Sequence, residues 1–271
     1  MAFTITDAPT KEELESYSAE QLRAYYALKA SNNDTLSVHS IPPTVDGVRR
    51  RTVDKYGELI AYMSIEDYQG ILQGFLIGLV GARRILEIGT FIGTSAIYFA
   101  NALKRNGVKG GVDGTGHKPI ISLDINEEFA EIARQNFVEA GVDDYIEVIV
   151  GDANKTLASL SDLTFDLCFI DADKESYRNY YETMVNNYMI AKDGLFIFDN
   201  TSFDKVLTFA DTPVPVAPDA KPLDVSLGGF EITKEVAISL HEFNEHIRKD
   251  PRIEVVMLPL YTGITLVRFM H

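Results

Sequence analysis

From Arg83 onward, short apolar runs alternate with stretches whose apolar residues recur at helical spacing. A strand covered on both faces loses its polar alternation and reads as a brief continuous apolar run. Such runs predict strands at Arg84–Ile88, Ile120–Leu123, Tyr145–Val150, Phe165–Ile170 and Leu195–Phe198. Helices are expected between them, at Ser95–Arg105, Asn126–Ala140, Asn154–Leu160 and Glu175–Ile190. Regular alternation of this kind is the signature of a parallel sheet with helices on both faces. The pattern then changes to a helix over Glu231–Lys249 and strands at Ile253–Leu258 and Ile264–Phe269. The short turn between those last strands permits only an antiparallel pair. The expectation is an α/β fold, a Rossmann-like mixed sheet of seven strands ending in a hairpin.

Ahead of this region, Lys11–Ala30 carries Leu14, Tyr17, Leu22, Tyr25 and Tyr26 on roughly one helical face. A loop follows, broken by Pro42-Pro43, then a helix running to about Ala61 and another over Asp67–Val80. Residues 1–61 are therefore expected to form a helical extension packed on a catalytic domain at 62–271. Arg49-Arg50-Arg51 reads as a solvated helix start, or as a contact for an anionic substrate, since arginine suits phosphate and carboxylate. Two stretches look like insertions. Gly107–Pro119 holds five glycines and is expected to be a flexible loop; Phe203–Gly229 holds four prolines and the pair Gly228-Gly229.

The candidate chemistry sits at strand ends. The run Phe165–Ile170 stops at Asp171-Ala172-Asp173-Lys174, and Leu195–Phe198 stops at Asp199-Asn200-Thr201. One crossover helix separates the two runs, enough for a right-handed βαβ unit with neighbouring parallel strands. Ligands of open α/β sheets bind at the carboxyl ends of the strands. Adjacent tips would gather Asp171, Asp199 and Asn200, three hard oxygen donors that suit Mg²⁺, Mn²⁺ or Ca²⁺ and suit zinc poorly. The plainer alternatives are that Asp171 or Asp173 caps the next helix and that Asp199-Asn200 forms an Asx-type turn.

A second locus is Arg84-Ile85-Leu86-Glu87-Ile88-Gly89-Thr90-Phe91-Ile92-Gly93-Thr94-Ser95, a strand, a tight turn and a helix start. Glycines let backbone approach a ligand closely. The spacing is Gly89-x-x-x-Gly93, not the GxGxxG of a dinucleotide site, and Glu87 before the turn would repel a pyrophosphate yet could hold an ammonium. Asp124, at the next strand tip, is placed to take a ribose diol. Acid, glycine turn and second acid together suit a cationic nucleoside with an amino-acid tail, S-adenosylmethionine.

Charge narrows the partners. Against 40 acidic residues stand 25 Lys and Arg, a formal charge of −15 with a pI near 4.7. Such a chain repels phosphate backbones, so no nucleic-acid partner is expected. No apolar run reaches membrane-spanning length, and the start MAFTITDAPTKEELE lacks the basic-then-apolar order of a secretory signal, so no membrane partner is expected either. The single cysteine, Cys168, lies inside an expected buried strand and cannot pair within the chain, which fits a reducing, cytoplasmic setting.

The motifs MSIEDYQG, RILEIGTFIGTSA, ISLDIN, VGDA, FIDADKESY, LFIFDNT and DPRIEVVMLPL with GITLVR together resemble a known family. The chain is similar, from about Tyr62 to its end, to the class I S-adenosylmethionine-dependent, metal-dependent O-methyltransferases of the catechol and caffeoyl-CoA type. The resemblance implies strand order 3-2-1-4-5-7-6, with the last strand antiparallel, and a homodimer. It matches Asp171, Asp199 and Asn200 to the metal ligands and Lys174 to the catalytic base, beside Asp171. It matches Glu87, Gly89, Gly93, Ser95, Asp124, Asp152, Ala153 and Asp171 to cofactor contacts. Met63 and Ile65 match positions lining the methionine end, and Asp173 a further contact of the caffeoyl-CoA branch. The implied acceptor is a small diol or phenolic compound.

Three rivals remain at this level. A nicotinamide oxidoreductase would want the missing pyrophosphate pattern. A methyltransferase for macromolecules or other small molecules would need no metal, and an idle S-adenosylmethionine binder would turn nothing over. Phe203–Gly229 leaves the tip bearing Asp199-Asn200, so it is expected to border the acceptor with Phe203, Leu207 and Phe209. Shortening it should change the order in which diols are methylated and leave S-adenosylmethionine affinity nearly constant. An unchanged order of preference in a folded variant would remove the segment as the selector.

Overall fold

The computed structural model describes residue 16 and residues 41–61, 63–202, 233–260 and 262–270. The expected helix over 11–30 and the segment 203–229 lie outside the described residues, Ser16 apart. Helices α1 (Val45–Tyr56), α2 (Glu58–Ala61) and α3 (Asp67–Leu79) come first. The alternating region follows: β1 (Ile85–Ile88), α4 (Thr94–Arg105), β2 (Ile120–Asp124), α5 (Glu127–Glu139), β3 (Ile146–Val150), α6 (Ala153–Ser159), β4 (Phe165–Ile170), α7 (Tyr177–Asn186) and β5 (Ile190–Asp199). The chain closes with α8 (Lys234–Arg248), β6 (Ile253–Leu258) and β7 (Ile264–Phe269).

The strands form one sheet in the order β3-β2-β1-β4-β5-β7-β6. Strands β1 to β5 pair in parallel, while β7 runs antiparallel to both β5 and β6. Successive side chains of a strand point to opposite faces, and each face builds its own core. Leu86, Ile88, Cys168, Ile170, Phe196 and Phe198 pack with Leu157, Tyr181 and Phe243 of α6, α7 and α8. Ile85, Leu167, Phe169, Leu195 and Ile197 pack with Val48, Ile77, Ile97 and Phe137 of α1, α3, α4 and α5. Alternation therefore sends Glu87, Ser122, Asp124 and Asp199 to the α3–α4 side, and this parity gathers the polar groups. Cys168 is a buried free thiol within the other core.

The structure departs from the sequence reading in four places. Strand β5 begins at Ile190 rather than Leu195, because α7 already ends at Asn186 and Tyr188 turns the chain at φ +55°. Ile190 pairs with Phe165, and the register then shifts so that Leu195 meets Leu167. Gly194 makes the irregularity possible, since a Cβ there would lie 2.7 Å from Ile190 Cγ2 and 2.9 Å from the Ala191 carbonyl. The helix expected to run to Ala61 breaks at Gly57, at φ +83°.

Arg49-Arg50-Arg51 lies inside α1 rather than at its start. Arg49 spans Asp67 at 2.5 Å and the Ile65 carbonyl at 2.7 Å; Arg51 binds Glu139 at 2.6 Å and Asn136 at 2.9 Å. Those two guanidiniums brace α1 on α3 and α5 instead of awaiting an anion. The Gly107–Pro119 loop, expected to be flexible, is tied down: Gly111 N–H donates to Asp144 O at 2.7 Å, Lys118 Nζ to Asp143 O at 2.7 Å, and Arg84 pairs with Asp113. It enters β2 at the amino end of the sheet, opposite the strand tips discussed below.

Gln73 of α3 is fully enclosed, and neither its amide nitrogen nor its oxygen has a hydrogen-bond partner among the described residues. A buried polar group left unsatisfied costs about 1–3 kcal/mol. Gln73→Leu keeps the volume and removes that cost, so it should raise the unfolding free energy in urea by about 1 kcal/mol or more. A destabilised variant would mean that the amide finds a partner in solution.

Candidate active site

The parallel pairing of β4 with β5 aligns Ile170 with Phe198, so the next residues, Asp171 and Asp199, leave neighbouring strand ends together. Neighbouring strands lie about 4.8 Å apart. Asp199 is 3% exposed. Its Oδ1 accepts from the Asn200 backbone N–H at 2.8 Å, and its Oδ2 accepts from Gln69 Nε2 at 2.6 Å. Burial, then the Asp171 charge, push its carboxyl up to about 7, against the opposing pull of Lys174 and those two donors. Asn200 stands at φ +56°, and its Nδ2 donates to Thr262 Oγ1 at 2.7 Å, leaving Oδ1 as the atom able to face a cation.

Lys174 ties the two tips together. Its Nζ donates to Asp171 Oδ1 at 2.7 Å and to the Tyr177 hydroxyl at 2.8 Å. The buried Tyr177 hydroxyl lies 3.1 Å from the Ile170 carbonyl and 2.8 Å from the Asp199 carbonyl, so one phenol bridges β4 and β5. Burial, then the nearby carboxylates, drive that phenol well above its ordinary pKa, so it stays a neutral donor. Asp171 caps no helix. Asp173 precedes a 3₁₀ turn at Lys174–Ser176 but makes no capping bond, accepting instead from the Tyr180 hydroxyl at 2.6 Å.

The donor set agrees with a hard cation. Asp171 and Asp199 leave neighbouring strand ends and the Asn200 amide follows directly in the chain, and oxygen donors of this kind suit Mg²⁺, Mn²⁺ or Ca²⁺. Two close carboxylates disfavour each other's charge, and a divalent ion between them would relieve that repulsion.

On the other side of β4 lies the glycine turn. Glu87 is wholly enclosed, with Ser95 donating to one carboxylate oxygen and Ser122 to the other. Burial is the largest influence on it and lifts its carboxyl to about 8, the serines pulling the other way. Glu87 thus braces the start of α4 against β2 from inside. Gly89 at φ +104° passes so close to β4 that a Cβ would overlap the Asp171 carbonyl oxygen, and Gly93 at φ +84° makes room for the Phe137 ring of α5. Both glycines serve contacts within the protein, whatever else they admit.

Asp124 ends β2 half-buried, its Oδ2 accepting from Phe91 N–H at 2.6 Å and its Oδ1 from Asn126 N–H at 2.8 Å. Asp152 caps α6 through Asn154 N–H at 3.0 Å, ahead of the buried Ala153. Met63 is exposed and Ile65 buried, in the segment leading into α3. The strand tips thus gather Glu87, Asp124, Asp171, Asp199 and Asn200 along one edge, with the first turn of α3 beside it through Gln69. Sequence reasoning missed Gln69, Ser122, Tyr177 and Thr262 as working parts. Gln69 and Tyr177 stood inside quoted motifs, but nothing local betrayed partners so distant in sequence.

A protein-family model described as O-methyltransferase matches residues 35–270. The chain is 30% identical over 226 residues to a caffeoyl-CoA O-methyltransferase of Populus kitakamiensis, covering 82% of this chain and 84% of that one. Its fold resembles the crystal structure of the methyltransferase PaMTH1 of Podospora anserina bound to S-adenosylhomocysteine (TM-score 0.68, 24% identity, 98% and 99% of the two chains). It also resembles the O-methyltransferase TomG of Streptomyces achromogenes in complex with S-adenosylmethionine (TM-score 0.65, 22% identity, 93% and 96%).

The raised carboxyl of Glu87 carries a pH signature. The folded protein holds a proton there up to about pH 8, which the unfolded chain releases near the ordinary carboxylate value. Stability from this group is therefore greatest at acid pH and falls as pH rises across that window. Melting from about pH 5 to pH 8.5 should cost Glu87→Gln less stability than it costs the parent. Asp199 adds a trend of the same sign in metal-free protein, so the difference between the two proteins is the readout. Identical pH profiles would contradict the assignment.

Proposed function

For a chain that belongs to the O-methyltransferase family, we propose divalent-metal-dependent transfer of a methyl group from S-adenosylmethionine to a hydroxyl of a small catechol-like or phenylpropanoid acceptor, as the free compound or its coenzyme A ester. The observation that carries this reading is the meeting of Asp171, Asp199, Asn200 and Lys174 at two adjoining strand tips. The match of family model and curated relative supports the chemistry.

A phenol with a pKa near 10 is a weak nucleophile at neutral pH. Asp171, Asp199 and the Asn200 amide oxygen would hold the cation, which when bound supplies a Lewis acid that makes a coordinated hydroxyl easier to deprotonate. Lys174 Nζ, as the neutral amine that a divalent cation beside it would favour over the ammonium, is the atom assigned to take the acceptor's proton. Asp171 Oδ1 and the Tyr177 hydroxyl aim it at that spot. S-adenosylmethionine supplies an electrophilic methyl on a sulfonium. Asp124 would take its ribose hydroxyls, while Gly89, Gly93, Ser95, Asp152 and Ala153 line the same edge and Met63 and Ile65 the methionine end. Asp173 is assigned a further cofactor contact. Glu87 would act from behind, keeping Ser95 and the turn in place. Most of what the protein contributes is then positioning two substrates in line. The further expectations of a cytoplasmic homodimer remain part of this proposal.

The test is a methyl-transfer assay over catechols and caffeoyl-CoA with Mg²⁺, after EDTA, and after Mg²⁺ is restored. Turnover should vanish with chelation and return with metal. Asp199→Ala should lose turnover while still binding S-adenosylmethionine. Full activity after exhaustive EDTA treatment would sink the metal-dependent reading and leave a metal-free methyltransferase in its place.

A further inference from the structure

Asp199 is the one candidate ligand that lies almost wholly inside the protein, and its orientation is set from two sides. Oδ1 is fixed locally by the Asn200 backbone N–H at 2.8 Å. Oδ2 is fixed from another layer of the fold, by Gln69 Nε2 of α3 at 2.6 Å, across 130 residues of sequence. Gln69 is itself 5% exposed, so little water competes for that bond. The helix that carries it is anchored at its first turn, where Asp67 accepts from Arg49 at 2.5 Å and from the Tyr98 hydroxyl at 2.6 Å. Gly70 lies flush against the Tyr98 ring, where any Cβ would collide with it. The Gln69 amide is therefore carried by a helix seated on α1 and α4 by these contacts.

Resting on the metal reading above, we propose that Gln69 is a positioning residue for the cation site, holding the Asp199 carboxylate in the plane that presents its remaining lone pairs to the ion. A carboxylate fixed by one donor at each oxygen cannot rotate about its terminal bond without breaking a buried hydrogen bond. Partners of this kind set the orientation of metal ligands and strengthen binding. Gln73, one turn further along α3 and also buried, reaches no partner among the described residues and supplies the internal control.

The experiment titrates Mn²⁺ into the full-length protein and follows unbound Mn²⁺ by electron paramagnetic resonance. Gln69→Met keeps the length and burial of the side chain and loses the donor. It should bind Mn²⁺ about 10- to 100-fold more weakly than the parent, while Gln73→Leu keeps the parent affinity. In turnover the Gln69→Met defect should appear as a raised Mg²⁺ requirement, with kcat recovered at saturating ion. Should Gln69→Met fail to fold, Gln69→Asn retains a polar group that falls short of Asp199 and should show the same loss. Parent-like Mn²⁺ affinity in a folded Gln69 variant would overturn the proposal and leave the metal site standing. An equal loss in Gln73→Leu would overturn it too, by showing a general effect of α3. A parent that takes up no Mn²⁺ would remove the metal reading itself.

Discussion

Two carboxylates leave adjoining strand tips side by side, one of them almost wholly buried, and the rest of the site is arranged around that repulsion. The pairing of Ile170 with Phe198 fixes the juxtaposition. Its electrostatic cost is visible in Asp199, whose carboxyl is pushed up to about 7 by burial and by Asp171. The protein answers with donors: Lys174 Nζ on Asp171, Gln69 on Asp199, and the Tyr177 hydroxyl against the Asp199 carbonyl. A divalent cation beside the two carboxylates would relieve the repulsion between them. The same residues that make such an ion welcome also hold the proposed base beside it.

The glycine-turn edge follows a different logic. Glu87 is neutralised in place, enclosed by two serine hydroxyls and carrying a carboxyl lifted to about 8. It holds the glycine turn from beneath. Asp124 stands at a strand tip and accepts from the backbone N–H groups of Phe91 and Asn126. An edge-on contact between the Phe91 and Phe129 rings, centroids 4.8 Å apart, packs the turn against α5. Shape comes from within, and recognition is left to the groups at the rim.

What the sequence made legible was whatever local pattern encodes. Apolar runs cut off by Asp171, Asp199 and Asp124 marked the strands and their ends together, and the strand order that the family resemblance implied is the one found. Where an element's polarity contradicted its role, the reading slipped. Lys192-Asp193-Gly194 looks like a turn, yet it lies within β5 because a register shift lets its charged side chains stay exposed. Arg49 and Arg51 looked available, but their carboxylate partners come from other helices. Gln69 could not have been singled out at all: its partner is distant in sequence, and an isolated glutamine on a helix face carries no pattern. Gly89 and Gly93 were noticed for the right reason, close approach, although the atoms that approach them belong to the protein itself.

The account stands or falls on whether Asp171, Asp199 and Asn200 act as one cation site. Crystals grown with Mn²⁺ and S-adenosylhomocysteine, measured with anomalous scattering at the manganese edge, examine that directly. The account predicts a single strong peak within coordination distance of the Asp171 and Asp199 carboxylates and of Asn200 Oδ1, with Gln69 still bonded to Asp199. A saturating Mn²⁺ concentration that leaves those oxygens without a peak, or places the ion elsewhere, would contradict it.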